Sequence, residues 1–284
     1  ISSLASSRSR ALRSSFRPTY NMAVNLVRRH SKRAAYDLVD KSFAQFVTDV
    51  SLRKQLDAVT KLLTERGYLA GWKLTVSGER LATIYHDADL LICEAAVEGL
   101  FDGLDAPSLA ALVSTFTHET RRGEAPPAVF QSARLFRRFE ALQDLARDLR
   151  ADERRLHLPI TRDLDPGFTS IAAAWARGED LATVLSPGSR RRSHTGEPTM
   201  TGGDFVRGMK NLIDLLKQLS TTLAGTPSGR VAGRAAEALL RGVVAAASAV
   251  YEGGDEEEDV LVALAAGGGP VPALEDPGSE PTSA

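Results

Sequence analysis

From Leu81 to Tyr251 apolar residues return every three or four positions, and Gly, Pro or polar groups cut the run into segments of helical length. That period puts the apolar side chains on one face of one helix after another. Ile84, Ala88, Leu91, Ile92, Ala95 and Ala96 form a stripe that ends at Gly99. Ala106-Pro107-Ser108 opens a helix with Leu109, Leu112, Val113 and Phe116, and Pro126-Pro127 breaks it. Ala133 to Leu156 is long and amphipathic, with Leu135, Phe136, Phe139, Leu142, Leu145 and Leu149 as its apolar stripe. Asp165-Pro166-Gly167 is a turn before a helix through Trp175, and Ser186 to Gly203 is a Gly-, Ser- and Arg-rich loop. Asp204 is expected to cap a helix to about Leu223, and one last helix is expected from Val231 to Tyr251.

The first 80 residues read differently. Pro18 opens a short helix with Tyr20, Ala23, Val24 and Val27 on one side, and Ser31 caps a second through about Phe46. A third spans about Leu52 to Glu65, with Leu52, Leu56, Val59, Leu62 and Leu63 inward, and ends at Gly67. Trp72, Leu74 and Val76 then alternate as in a strand, Ser77-Gly78 turns the chain, and Glu79-Arg80-Leu81 restarts a helix. That order is the one a winged helix shows at its third helix and wing. About 45 residues hold too little core to stand alone, so this piece is expected to dock on its neighbours. The expected class is mainly α: a small winged helix (34–80) packed on an all-helical bundle (81–251), with an extended basic arm (1–33) and a disordered acidic tail (252–284).

Charge supports the division of the ends. Residues 1–35 carry eight basic residues and no acid, while residues 251–284 carry nine acids and no base, so a net charge of −1 hides two opposite fields. The Arg- and Ser-rich head has the composition of a transit peptide, and a start at Ile1 suggests a processed chain or a piece of a longer one. The one cysteine, Cys93, excludes an intrachain disulfide and a cysteine-based zinc site, and makes a reducing cytosol the simplest compartment. No run of 18 apolar residues occurs, so no membrane-spanning helix is expected.

Motifs for chemistry are few. The sequence has no Gly-x4-Gly-Lys-[Ser/Thr] phosphate loop, no Gly-x-Ser-x-Gly elbow and no His-Glu-x-x-His. His30, His86, His118, His157 and His194 share no ligand spacing and read as surface or packing residues. Asp87, Asp89, Glu94, Glu98, Asp102 and Asp105 are dense, but Asp87, Glu94 and Glu98 fall opposite the apolar stripe and read as a solvated face. The helix after Asp204 has a buried stripe of Phe205, Met209, Leu212, Ile213, Leu216 and Leu219. Arg207, Lys210, Asn211, Asp214 and Lys217 line its other side. A row of this kind can follow a nucleic-acid backbone, and it is also what an ordinary solvated face looks like. Arg190-Arg191-Arg192 adds positive charge on the preceding loop.

Longer blocks carry a resemblance. SSFRPTYNMAVNLV (14–27) and KSFAQF (41–46) resemble the segment shortly after the last helicase motif of superfamily 2 DExH-box RNA helicases. The branch is the exosome-associated and superkiller type, and within it the actinobacterial HelY-type helicases. RGYL (66–69) and the blocks 74–122, 163–185, 202–219 and 241–251 are similar to that family's C-terminal helical domain, DSHCT. The resemblance implies two preceding RecA-like domains that use ATP and Mg²⁺, and it makes the basic head interdomain chain; no cofactor is expected in this chain itself. It implies a bundle that closes the RNA channel, with a ratchet helix at Asp204–Leu223 contacting the strand through Arg207, Lys210 and Asn211. The family often has a basic residue where Asn211 stands. Glu119 matches a family acid facing the same strand, with Arg121 and Arg122 beside it.

Two departures stand out. The family's arch insertion is absent or very short between Phe46 and Leu52, and the loop Ser186–Gly203 is longer than usual. Implied partners are single-stranded or structured RNA, the upstream RecA-like domains and an RNA-degrading complex, with no membrane and a cytoplasmic location. The alternatives are a stand-alone winged-helix nucleic-acid-binding module and a partner-docking bundle without helicase activity. Against the first, Arg53, Lys54 and Lys61 on the third helix are offset by Asp57 and Glu65. Without a phosphate loop, the purified chain is expected to show no ATP hydrolysis with or without RNA. RNA-stimulated turnover in a phosphate-release assay would contradict this assignment.

Overall fold

Side-chain caps decide where most helices begin. The computed structural model describes residues 19–41, 52–120, 130–185 and 200–251. Thr19 caps α1 (Tyr20–Arg29) and Ser31 caps α2 (Lys32–Asp40), each accepting the N–H three residues on. α3 (Leu52–Glu65) buries the five apolar residues expected of it. Thr75 caps α4 (Val76–Leu81), α5 covers Asp89–Val97, Asp105 caps α6 (Ala106–Thr117) and Ser132 caps α7 (Ala133–Arg155). A 3-10 turn at Pro166–Phe168 leads into α8 (Thr169–Ala176), followed by α9 (Leu181–Leu185). Thr201 caps α10 (Gly202–Thr222), Thr226 caps α11 (Pro227–Leu239), and α12 is Gly242–Tyr251.

The molecule is mainly helical, as the apolar period implies. α6 is central and packs on α7, α8, α10 and α11, while α1 rests on α3, α4 and α5. One apolar cluster runs from Tyr20 to Ala247, so the N-terminal helices share their core with the bundle. The basic arm before Thr19, the continuation of α2 to Phe46, Pro126-Pro127, Arg190–Arg192 and the acidic tail lie outside the described residues.

Several local expectations are corrected. The strand over Trp72–Val76 reduces to one antiparallel bridge, Leu69 to Leu74, and Val76 is 73% exposed at the start of α4. The reason is the tight turn after α3. Gly67 adopts φ 77°, and the N–H groups of Tyr68 and Leu69 return to the Leu63 carbonyl, leaving too few residues for a ladder. The stripe starting at Ile84 is not one helix, because residues 82–88 are a loop between α4 and α5. Phe136 is 43% exposed and leans on Phe130 rather than entering the core. The last helix is two. Trp175 Nε1–H donates to the Leu239 carbonyl at 2.9 Å, and the Arg241 guanidinium stacks 3.6 Å from the Trp175 ring centre. Arg241 also donates to the carbonyls of Trp175 and Glu179, which turns the chain between α11 and α12.

The acids expected on a solvated face are the largest surprise. Asp87 and Glu98 are exposed, but Asp89 is wholly buried and Glu94 nearly so. Asp89 accepts the Asn21 N–H at 2.6 Å and its neighbour Leu90 N–H at 2.7 Å, so α5 supplies a buried carboxyl acceptor to the first turn of α1. Glu153 of α7, also 0% exposed, accepts the Tyr20 hydroxyl at 2.9 Å and the Thr161 N–H and hydroxyl at 2.8 and 2.6 Å. Arg66, after α3, grips Glu94 through both carboxylate oxygens at 2.7 and 2.6 Å and Asp152 at 2.8 Å.

Burial pushes the Asp89 carboxyl up to about 7, against the pull of its two N–H donors, and raises Glu94 against Arg66. His86 moves the other way: burial and the charge of Arg162 lower it to about 4. The two have opposite effects on stability. Asp89 holds its proton in the fold up to about pH 7, so its contribution is full below pH ~4 and is lost as pH rises through 7. The contribution of His86 is full above pH ~6.5 and is lost as pH falls through 4. Urea denaturation of Asp89→Asn should therefore show stability rising with pH between 4 and 7, by roughly 3 kcal/mol relative to the parent chain. His86→Asn, which keeps an acceptor for the Ala88 N–H, should tilt the curve downward. Parallel curves for Asp89→Asn and the parent would contradict the buried acid.

Candidate nucleic-acid interface

The first turn of α10 fixes the phase of the whole helix. Thr201 Oγ1 accepts the Asp204 N–H at 3.1 Å and donates to Asp204 Oδ2 at 2.9 Å, so Thr201, not Asp204, is the cap. From there α10 buries Phe205, Val206, Met209, Leu212, Ile213, Leu215, Leu216 and Leu219. At about 100° per residue, Arg207, Asn211, Asp214 and Gln218 fall within about 60° of one another on the opposite side. Arg207, Asn211, Asp214 and Lys217 are exposed, and Arg207 to Gln218 covers about 16 Å of helix axis.

Contacts on both flanks frame this face. A side-chain carbon on Gly208 would lie 3.1 Å from the Phe168 ring, tighter than ordinary packing, so glycine there lets the ring sit close against α10. Phe168 in turn stacks on His118, with ring centres 5.3 Å apart. His118 ends α6, and the exposed Glu119 follows it, so the end of α6 stands beside the first half of α10. Further along, the hydroxyls of Thr83 and Thr222 meet at 2.8 Å, and Gln218 Oε1 accepts the Tyr85 N–H at 2.7 Å. These bonds pin the 82–88 loop to the second half of α10. Arg162 donates to the His118 carbonyl at 2.9 Å, which secures the end of α6. On the other flank, Lys210 Nζ donates to the Ala247 carbonyl of α12 at 3.2 Å.

Burial opposes ionisation of Asp165, but hydrogen bonds from Thr120 and Gly167 outweigh it and hold the acid below its usual range. As an anion it accepts the Thr120 N–H at 2.6 Å and the Gly167 N–H at 2.8 Å, fixing the segment after Glu119. Among the described residues no group of three or more His, Cys, Asp or Glu can hold a metal ion, and no helix is long and apolar enough to cross a membrane.

Of the residues singled out in the sequence, Arg207 and Asn211 share the exposed face, and Glu119 is exposed directly after His118, whose ring stacks on Phe168. Lys210 is half-buried with its ammonium against α12, and Arg121 and Arg122 lie outside the described residues. Sequence reasoning missed Gln218, Tyr85 and Arg162. Gln218 follows Arg207 by three turns, so extending the same spacing would have found it. Tyr85 and Arg162 lie in irregular chain and carry no periodic signal.

A family model for the DSHCT (NUC185) domain matches residues 71–247, which include the α10 face and both of its flanks. The chain belongs to the DSHCT family. It is 36% identical over 203 residues to the protein named Probable helicase HelY in Mycobacterium leprae (strain TN). It is 34% identical over the same length to the Probable helicase HelY of Mycobacterium tuberculosis (strain ATCC 25618 / H37Rv). Each match covers 69% of this chain and 22% of the relative, so the DSHCT chain spans less than a quarter of those proteins.

Two cations of the DSHCT helix α10, Arg207 and Lys210, differ in their ties. Arg207 lies 3.9 Å from Asp204 on an exposed surface, so Arg207→Ala should change stability by no more than about 0.5 kcal/mol. Lys210→Ala removes a charge-assisted bond to the α12 backbone and should cost about 1 kcal/mol. Equal midpoints and slopes in urea for both variants would contradict this division.

Proposed function

We propose that this chain is the C-terminal accessory region of an ATP-dependent RNA helicase. In this reading the bundle closes the RNA channel and α10 is the helix along which the single strand passes. The observation that carries it is the open polar face of α10, fixed in phase by the Thr201 cap and framed by the end of α6 and the 82–88 loop. Membership of the DSHCT family and the likeness to proteins named as helicases support the same reading. ATP and Mg²⁺ would be held by RecA-like domains of a longer protein, since this sequence offers no phosphate loop. RNA, those RecA-like domains and an RNA-degrading complex are the proposed partners, in the cytoplasm.

The contact is mostly electrostatic and tolerant of sequence. Arg207 offers a phosphate contact, Asn211 a hydrogen bond and Glu119 a charge that keeps phosphates off one edge. A winged-helix DNA reader would instead present α3, but there Arg53 pairs with Asp40 and Lys61 lies 4.0 Å from Glu65. Binding of a single-stranded oligouridine should weaken with salt, and Arg207→Ala should reduce the slope of log K against log[salt] by about 0.7. An unchanged affinity and slope would mean that this face meets only water.

A further inference from the structure

Resting on the reading above, we propose that Tyr85 is a stacking platform for a base of the strand that lies along α10. Its side chain is 65% exposed, although the loop that carries it is fastened on several sides. The Tyr85 N–H is held by Gln218, Thr83 is bonded to Thr222, and the flanking Ile84 and Ala88 are buried. The half-buried His86 accepts the Ala88 N–H through Nδ1 at 3.0 Å. The ring is thus presented from a fixed backbone, so little ordering entropy is spent when it binds.

The anchor matters as much as the exposure. Gln218 belongs to the same 60° face as Arg207 and Asn211, so the bond that holds Tyr85 also places it at the C-terminal end of that face. Charge divides the face accordingly. Arg207 is at one end and the acidic Asp214 interrupts the row, while the exposed Lys217 lies about 100° round the helix from Gln218, on the side of Lys210. A strand held by a phosphate at Arg207 and running along this face crosses the end of α10 beside an aromatic ring. Base–aromatic stacking tolerates any base, as a translocating strand demands.

The test uses the whole 284-residue chain and a fluorescent 12-nucleotide oligouridine in an anisotropy titration. Tyr85→Ala, with unchanged helical circular dichroism, should weaken binding between about 5-fold and about 100-fold, whereas Tyr85→Phe should stay within about 2-fold. The salt slope should not change in either variant. An abasic ribose-phosphate strand of the same length should bind Tyr85→Ala and the parent chain equally. If Tyr85→Ala binds oligouridine as the parent does while Arg207→Ala weakens it, the stacking role is overturned and the helicase reading stands. Equal losses in Tyr85→Ala and Tyr85→Phe would assign the effect to the hydroxyl and also overturn stacking. A parent chain that does not bind the strand overturns both.

Discussion

A carboxyl group of one helix holds the start of another: Asp89 of α5 accepts the backbone N–H of Asn21 in the first turn of α1. α1 has no acid in its own first turn, and a donor enclosed in the core needs an acceptor. Glu153 does the same for Tyr20 and Thr161, and Arg66 closes the set by joining the end of α3 to α5 and α7. Each buried group is surrounded by donors or an opposite charge, so removing one partner leaves a desolvated polar group behind. The N-terminal helices are therefore fixed to the bundle by directional bonds as well as by apolar packing.

That attachment sets the walls of the α10 face. Asn21 and Asn25 of α1 donate to the carbonyls of Leu81 and Ala82, which fixes where α4 ends and the 82–88 loop begins. The loop then reaches α10 through Thr83 and Tyr85. The opposite wall has its own cause. Trp175 and Arg241 stop α11 at Leu239 and redirect the chain, so that α12 returns along α10 and offers the Ala247 carbonyl to Lys210.

Where one apolar face decides a helix, the sequence was readable. α3 and the buried stripes of α6 and α10 stand where their periods place them, because burying such a stripe needs only a neighbour of any kind, although α6 stops at Thr117, well before Pro126-Pro127. The failures share a different cause. Asp89 and Glu94 look like surface acids until Asn21 and Arg66 arrive from 68 and 28 residues away. The split between α11 and α12 depends on Trp175, which acts across 64 residues. The Trp72–Val76 alternation was too short to compete with the turn at Gly67, where one bridge is all that forms. On α10 the polar row was legible as a row. Which of its members reaches open solvent was not, since the turn of Lys210 toward α12 is set by the return of the chain.

The mixed charge of α10 bears on what such a face can do under the proposed reading. A continuous line of cations would hold every phosphate, and each contact would add to the barrier against movement. Here Asp214 lies between Arg207 and Lys217, and Lys210 is drawn aside to α12. Under the proposed reading a strand would meet one strong phosphate contact at Arg207 and polar groups beyond it, on a helix kept rigid by its buried stripe. In that reading affinity would stay modest while position stays defined, which suits a surface that a strand must cross and leave.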